Sequence, residues 1–179
     1  IPLDPTQTPG ENAQRYFAKY NKQKRTFEAL TELIQETADD IQYLESISNA
    51  LDIALNEADL AQIKEELMQS GYIRRKHTKK KVKLTSKPMH YISSDGYDMY
   101  VGKNNLQNEE LTFSFANGND WWFHAKGMPG SHVIVKSNNE ELPDRVFEEA
   151  GMLAGYFSKG REDEKVEIDY LQKKNVKKP

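Results

Sequence analysis

The chain has 179 residues, of which 37% are hydrophobic and 30% are charged, and its formal net charge is −3. This length suits one compact domain with an extension, and the polar composition favours an elongated shape or a wet surface. The sequence contains no cysteine, which excludes disulfides and thiolate metal sites and favours the cytoplasm. Its first residues lack an initiator Met and any apolar run suited to a signal peptide or membrane span, so we expect a fragment of a longer protein.

The first predicted element is one long helix over residues 11 to 55. Its apolar residues recur at alternating steps of three and four, which is the spacing of a coiled-coil seam. Polar residues interrupt this seam at Gln23, Thr37 and Ser48. The seam consists of Tyr16, Tyr20, Phe27, Leu30, Ile34, Ile41, Leu44, Leu51 and Leu55.

A second, shorter helix is predicted from Asp59 to Ser70, with Asn56 as its N-cap and Gly71 as its stop. Its apolar face would carry Leu60, Ile63 and Leu67. Because this helix is too short to cover the seam, the long helix needs another partner. We expect coiled-coil pairing with missing upstream sequence, or alternatively with a second copy of the chain.

A basic linker without periodicity follows at residues 72 to 88. Residues 71 to 90 carry eight Lys or Arg and no Asp or Glu, so the rest of the chain is much more acidic than its net charge suggests. Such a cluster can displace counterions from a phosphate backbone. It can equally be a solvated linker. A second basic cluster, Lys173, Lys174, Lys177 and Lys178, favours the nucleic-acid interpretation.

Beyond the linker the sequence is typical of strands. Met89 to Ser93 and Tyr97 to Val101 flank an Asp-Gly turn and predict a hairpin. Alternation of Leu111, Phe113 and Phe115 with polar or small residues predicts a half-buried strand.

A second hairpin and a helix complete the predicted domain. The hairpin pairs Trp121 to Ala125 with Ser131 to Lys136, and a helix opens at Pro143 and continues to about Ser158. The helix would turn Phe147, Ala150, Ala154 and Phe157 toward the sheet, and Val166, Ile168 and Tyr170 mark a last strand. The fold class is therefore α+β, a long helical coiled-coil arm followed by a mixed, mostly antiparallel sheet packed with a helix.

Adjacent tryptophans are the most unusual feature of the second hairpin. Neighbours in a strand point to opposite faces, so one of Trp121 and Trp122 should be in the core and the other exposed or at an interface. If the hairpin turns symmetrically about Met128, His124 and His132 pair on the face of Trp122. Such a group can stack bases or ribose. Alternatively, it is an aromatic plug with hydrogen-bonded histidines.

Three further sets of residues suggest chemistry. An amide-rich loop with one cation, residues 102 to 108, can bind phosphate and base edges or merely cap the next element. Ser131 beside His132 has the residue types of a hydrolase triad but lacks nucleophile-elbow spacing. A metal held by His124, His132 and a carboxylate lacks a recurring ligand spacing. We therefore expect neither an enzyme nor a metal site.

Five motifs in a fixed order span about ninety residues of the C-terminal half. They resemble the RNA-binding domain, NFACT-R, of the NFACT family of ribosome-associated quality-control factors. Residues 3 to 17 are similar to the distal half of the family's coiled-coil middle region. The five motifs are residues 91–96 (YISSDG), 101–108 (VGKNNLQN), 120–125 (DWWFHA), 130–134 (GSHVI) and 176–179 (VKKP).

The resemblance divides the chain into three parts. Residues 1–71 correspond to the distal half of the coiled-coil middle region, residues 72–88 to a basic linker, and residues 89–179 to the NFACT-R domain, with its last strand expected beyond the end of this sequence. Family membership implies that the full protein binds stalled large ribosomal subunits carrying peptidyl-tRNA. It also implies recruitment of tRNA for template-free C-terminal tailing, in bacteria chiefly with alanine.

The implied partners are tRNA, rRNA and the large ribosomal subunit, in the cytoplasm and without a membrane. The resemblance implies no cofactor and no enzymatic activity, because the ribosome itself supplies the peptidyl-transfer chemistry. Bacterial members are also called fibronectin-binding protein, so the alternative function is a surface adhesin. The candidate RNA-binding residues, with the basic segments the stronger candidates, are Arg74, Arg75, Lys79, Lys80, Lys81, Lys103, Asn104, Asn105, Trp122, His124, His132, Lys173, Lys174, Lys177 and Lys178.

Overall fold

The computed structural model describes residues 1–74 and 86–178, so most of the predicted basic linker lies outside the described residues. The chain forms two compact units, Ile1–Tyr43 and Leu44–Pro179. The first unit contains most of helix α1, which runs from Pro9 to Ile53 and confirms the predicted long helix. Among the described residues, no helix has an apolar stretch long enough to cross a bilayer.

A capping box starts α1. The Thr8 hydroxyl accepts a hydrogen bond from Glu11 N, and the Glu11 carboxylate accepts one from Thr8 N at 2.8 Å. Pro9 stands at the first helical position, where its missing N–H costs nothing. Along the rest of this unit the predicted seam faces solvent, with Phe27 72% exposed. The exposed seam agrees with the expectation that α1 requires a partner outside this chain segment.

The second unit begins with the end of α1 and helix α2, Glu57–Gln69. The Asn56 side chain accepts hydrogen bonds from Ala58 N and Asp59 N, and Gly71 has a φ of +82°, so both predicted helix boundaries are confirmed. The predicted apolar face of α2 is wrong in part. Leu60 is 49% exposed, whereas the polar residues Asp59 and Glu66 are buried with Ile63 because they bind Lys103 and Asn105.

The described part of the second unit contains a five-stranded sheet in which every neighbouring pair is antiparallel. The strand order is β1-β2-β4-β3-β5, so β4 lies at the centre and β1 and β5 at the edges. The two predicted hairpins are confirmed. The strands are β1 (Met89–Ile92), β2 (Asp98–Val101), β3 (Trp121–Ala125), β4 (Val133–Val135) and β5 (Ile168–Gln172).

One face of the sheet is covered by helix α4, Asp144–Tyr156, which follows Pro143 as predicted. Val146, Ala150 and Ala154 are fully buried against the sheet, and we call this side the α4 face. Burial of each large apolar side chain contributes roughly 1.5–3 kcal/mol. The sheet residues of this core are Met99, Val101, Phe123, Val133 and Val135.

The predicted strand over Leu111, Phe113 and Phe115 is wrong. Residues Asn105–Glu110 form helix α3, and Leu111–Phe115 continue it as a π-helical turn in which Ala116 N donates to Leu111 O. The physical reason is the cap before it, because the Asn104 side chain accepts from Gln107 N and commits the chain to a helix. An Asn followed three residues later by Gln was the sequence signal for this helix.

Gly102 lies where β2 ends and approaches Asn108 very closely. A Cβ at this position would come within 2.2 Å of Asn108 Oδ1 and 3.0 Å of Asn108 N. Because Asn108 Oδ1 also accepts a hydrogen bond from His132 N, it cannot move away freely.

We therefore expect Gly102→Ala to lower the free energy of unfolding by about 1–3 kcal/mol through overpacking. Urea unfolding of the two proteins would measure this difference. Gly118→Ala is the matched control, because its Cβ would meet only Lys174 Cβ at 3.7 Å. Equal stabilities for the two variants would contradict the prediction.

Candidate nucleic-acid interface

The sheet face opposite α4 carries the predicted residues Trp122, His124 and His132, and we call it the α3 face because α3 and the π-helical turn lie over it. Its side chains form cross-strand rows fixed by the strand register. One row crosses all five strands through His90, Tyr100, Ile134, Trp122 and Leu171. Ile134 in the middle of this row is fully buried.

The predicted grouping of Trp122 with two histidines is confirmed, and we call it the Trp-His cluster. Trp122 stacks on His124 with ring centroids 5.6 Å apart, and the His132 ring is 5.1 Å from Trp122 and 5.2 Å from His124. The observed pairs Trp122 with Ile134 and Phe123 with Val133 follow the symmetry about Met128 that the sequence predicts.

The two tryptophans lie on opposite faces, as predicted. Trp121 packs edge-on against Phe147 of α4, with ring centroids 4.7 Å apart, whereas Trp122 is on the α3 face. Both side chains are half-buried, and the Trp122 Nε1 atom is buried with no hydrogen-bond partner in residues 1–74 and 86–178. The indole of Trp122 is therefore only partly accessible to a ligand.

Both histidines of the cluster are neutral at physiological pH. Burial, and to a lesser extent the neighbouring His124, lowers the pKa of His132 to about 3. Burial likewise lowers the pKa of His124. His132 Nδ1 is 2.7 Å from Thr112 Oγ1 and 3.2 Å from Asn108 O. The cluster can offer rings and hydrogen bonds to a ligand, but it supplies no positive charge to phosphate.

The amide-rich loop is bound to the helices of its own unit. Lys103 Nζ lies 2.6 Å from Asp59 Oδ1, and both side chains are buried. Burial alone would raise the pKa of Asp59, but hydrogen bonds from Lys103 and Ser86 lower it, so the pair is ionic.

The neighbouring amides also point to α1 and α2. Asn104 Nδ2 donates to Gln62 Oε1, and Asn105 Nδ2 donates to Ser46 Oγ and Glu66 Oε1 at 2.7 Å. RNA contact by Lys103, Asn104 and Asn105 stays a prediction, and in the structure their side chains are engaged with protein.

The C-terminal lysine cluster, Lys173, Lys174, Lys177 and Lys178, lies beside α3. Lys173 Nζ is 5.9 Å from the centre of the Phe113 ring, and Lys178 pairs with Glu109. Lys174 and Lys177 are exposed. Of the predicted linker cations, Arg74 is exposed, and Arg75, Lys79, Lys80 and Lys81 lie outside the described residues.

In its described part, the structure brings together neither a hydrolase triad nor a set of metal ligands. Ser131 Oγ is buried and has no hydrogen-bond partner among the described residues, while His132 Nδ1 faces Thr112 and Asn108. No group of three His, Asp or Glu side chains in residues 1–74 and 86–178 could hold a metal ion.

Comparison with known proteins assigns the fold to a class and then to a family. Residues 87–179 match the family model of the NFACT protein RNA binding domain, and residues 1–86 match the NFACT N-terminal and middle domains. The chain therefore belongs to the NFACT family, and its sheet and α4 lie in the RNA-binding domain.

Proteins named Rqc2 homolog RqcH are similar over the whole chain. The one from Streptococcus pneumoniae is 47% identical over 180 residues, which are 100% of this chain and 32% of that protein. The one from Bacillus subtilis is 40% identical over 184 residues, 100% of this chain and 31% of that protein. The chain thus spans about a third of the length of these curated relatives.

A solved structure has the same fold. It is the C-terminal part of the fibronectin/fibrinogen-binding protein from Streptococcus suis, with a TM-score of 0.85 and 44% identity. The similarity covers 97% of this chain and 69% of that one.

The Lys103–Asp59 ion pair predicts a large loss of stability when one partner is neutralised. Asp59→Asn leaves a buried ammonium without a counter-charge, and we expect the free energy of unfolding to fall by about 3–5 kcal/mol. Adding Lys103→Met should recover part of this loss. Chemical denaturation measures all three proteins.

The matched control is Glu167→Gln, which removes the exposed Lys126–Glu167 pair at 3.0 Å. For such a surface pair the expected change is below about 1 kcal/mol. A similar effect of Asp59→Asn and Glu167→Gln would contradict the assignment of a buried ion pair.

The low pKa of His132 predicts acid sensitivity. Because the folded-state pKa is below the unfolded value of about 6.5, His132 costs no stability above that pH and increasingly destabilises the protein as the pH falls toward 3. The limiting slope is about 1.4 kcal/mol per pH unit. Stability curves from pH 7 to 4 should therefore be flatter for His132→Gln than for the unmodified chain. His90→Gln, at an exposed position, is the control, and parallel curves for His132→Gln would refute the prediction.

Proposed function

We propose that this chain is the RNA-docking part of a ribosome-associated quality-control factor. The observation that carries the proposal is the C-terminal lysine cluster beside α3, within the region that matches an RNA-binding family model. Lysines at the surface favour phosphate through counterion release, which is independent of sequence. The basic linker that precedes the sheet adds further cations.

We also propose a finer function, based on the family resemblance. The full protein binds large ribosomal subunits that still hold peptidyl-tRNA, and it recruits tRNA for template-free C-terminal tailing with alanine. In this scheme tRNA and rRNA are the ligands of the chain, and the cytoplasm is its location. Supporting this, the relatives that match the whole chain are named Rqc2 homolog RqcH.

The chain contributes no catalytic group under this proposal, since peptidyl transfer is the chemistry of the ribosome. The adhesin alternative is less well supported. Its basis is the name of a structural relative, fibronectin/fibrinogen-binding protein, whereas the model that matches residues 87–179 is described as RNA-binding.

Charge reversal of the C-terminal lysine cluster tests the proposal. Lys173→Glu, Lys174→Glu and Lys177→Glu together should weaken tRNA binding and reduce the slope of log affinity against log salt by roughly 0.7–0.9 per lost phosphate contact. Fluorescence anisotropy at several salt concentrations measures both quantities. The control reverses Lys19, Lys22 and Lys24, which are exposed on α1. An unchanged salt slope in the first variant would sink the proposal.

The linker cations have a separate test in the full-length protein. Changing Arg74, Arg75, Lys79, Lys80 and Lys81 to Glu should reduce co-sedimentation with ribosomes because it inverts a basic segment. Unchanged co-sedimentation would show that these linker cations do not contribute to ribosome binding.

A further inference from the structure

A set of aromatic rings on the α3 face lies outside the Trp-His cluster, and the sequence alone did not suggest it. The π-helical turn places the Phe115 ring edge-on to Tyr100, with ring centroids 4.7 Å apart. His90 stacks on the other side of Tyr100, also at 4.7 Å. Phe113 projects from the same turn and is half-buried.

Phe115 is the exposed ring of this set, whereas Tyr100 and Phe113 are half-buried like the tryptophans. Phe115 is 41% exposed, although a phenyl ring gains free energy by burial. The turn that presents it is an i to i+5 structure closed by Ala116 N and Leu111 O at 2.9 Å. Such π-helical turns occur frequently at functional sites. The exposed part of the ring is therefore accessible to a ligand.

The lysines around the rings differ in whether their charge is available to bind a phosphate. Lys136 Nζ lies 4.8 Å from the centre of the Phe115 ring, but its charge is balanced by Asp120, whose Oδ2 is 2.5 Å away. Lys173 is above Phe113, and Lys174, the next residue in the sequence, is exposed. Positive charge that can meet a phosphate thus lies at the Phe113 end of the aromatic set.

We infer that Tyr100, Phe113 and Phe115 form a stacking surface for the bases of unpaired RNA, with Lys173 and Lys174 binding the adjoining phosphates. The inference rests on the proposed RNA-docking function. It adds the surface that contacts the RNA and the type of RNA that is bound. Aromatic rings beside lysines suit single strands because every base has a π-face and every nucleotide a phosphate. In a duplex the base faces are already stacked, so the surface discriminates against paired RNA.

The test compares one single-stranded and one double-stranded probe on the full chain. The probes are fluorescein-labelled oligoadenylate of about 12 nucleotides, within the usual range of single-strand site sizes, and a blunt RNA duplex of the same length. Phe113→Leu with Phe115→Leu keeps apolar volume but removes both rings. We expect this variant to bind the single strand about tenfold or more weakly, and the duplex unchanged.

Two further variants separate stacking from packing. Phe113→Tyr with Phe115→Tyr keeps the rings and should restore single-strand affinity to within about twofold. Tyr156→Leu removes an exposed aromatic ring from α4, on the opposite side of the sheet, and should change nothing. Equal weakening of both probes by the Leu variant, or no weakening of the single strand, overturns the inference.

Crosslinking of the unmodified chain gives a result that does not depend on how a variant folds. A 4-thiouridine-substituted single strand should crosslink to peptides containing Tyr100, Phe113 or Phe115, and crosslinks confined to other segments would overturn the inference. The lysine reversal variant distinguishes the two proposals. If it weakens both probes while the Leu variant weakens neither, RNA docking stands and the stacking surface fails. If the unmodified chain binds neither probe, both proposals fail.

Discussion

The buried hydrogen bonds of residues 102–108 determine how the second unit is put together. Gln107 is at their centre, because its amide accepts from Lys103 N and donates to Gln62 and Ser86. Asn108 continues the network toward the sheet by accepting from His132 N and donating to Gly130 O. This segment, which runs from the end of β2 into α3, thus connects α2 to the residues that precede the central strand. Each unsatisfied group left by a substitution here costs about 1–3 kcal/mol, so the network behaves as one unit.

Much of the fold could be predicted because its signals are local. The Asn56 cap, the Asp-Gly turn of the first hairpin and the Pro143 helix start each involve residues close in sequence. The pairing of His124 with His132 followed from the turn alone. The strand predicted for residues 111–115 was wrong because the N-cap at Asn104 starts a helix that continues through these residues, despite their alternating apolar pattern.

The candidate site was harder to predict, because its organisation depends on distant contacts. Nothing near Lys103 in the sequence indicates that its ammonium is neutralised by Asp59, which is far away in the chain. The loop therefore looked like a ligand site, whereas in the structure it attaches the helices to the sheet. Conversely, Phe115 looked like a strand residue facing a core, and the π-helical turn leaves it exposed beside Tyr100. The distribution of charge also depends on distant contacts, since the histidines on the α3 face are neutral and the exposed lysines Lys174 and Lys177 lie in the cluster beside α3.

The strand order has a consequence for how the domain is assembled during synthesis. The strands β2 and β4 are neighbours in the sheet, yet α3, the π-helical turn and β3 separate them in sequence. The β1-β2 hairpin therefore leaves the ribosome before the strand that completes its apolar face exists. Contacts across such a separation carry a loop-closure cost that local hairpins avoid. We expect the two local hairpins to form before β2 pairs with β4 in a slower step, an order that pulse-labelled hydrogen exchange can resolve.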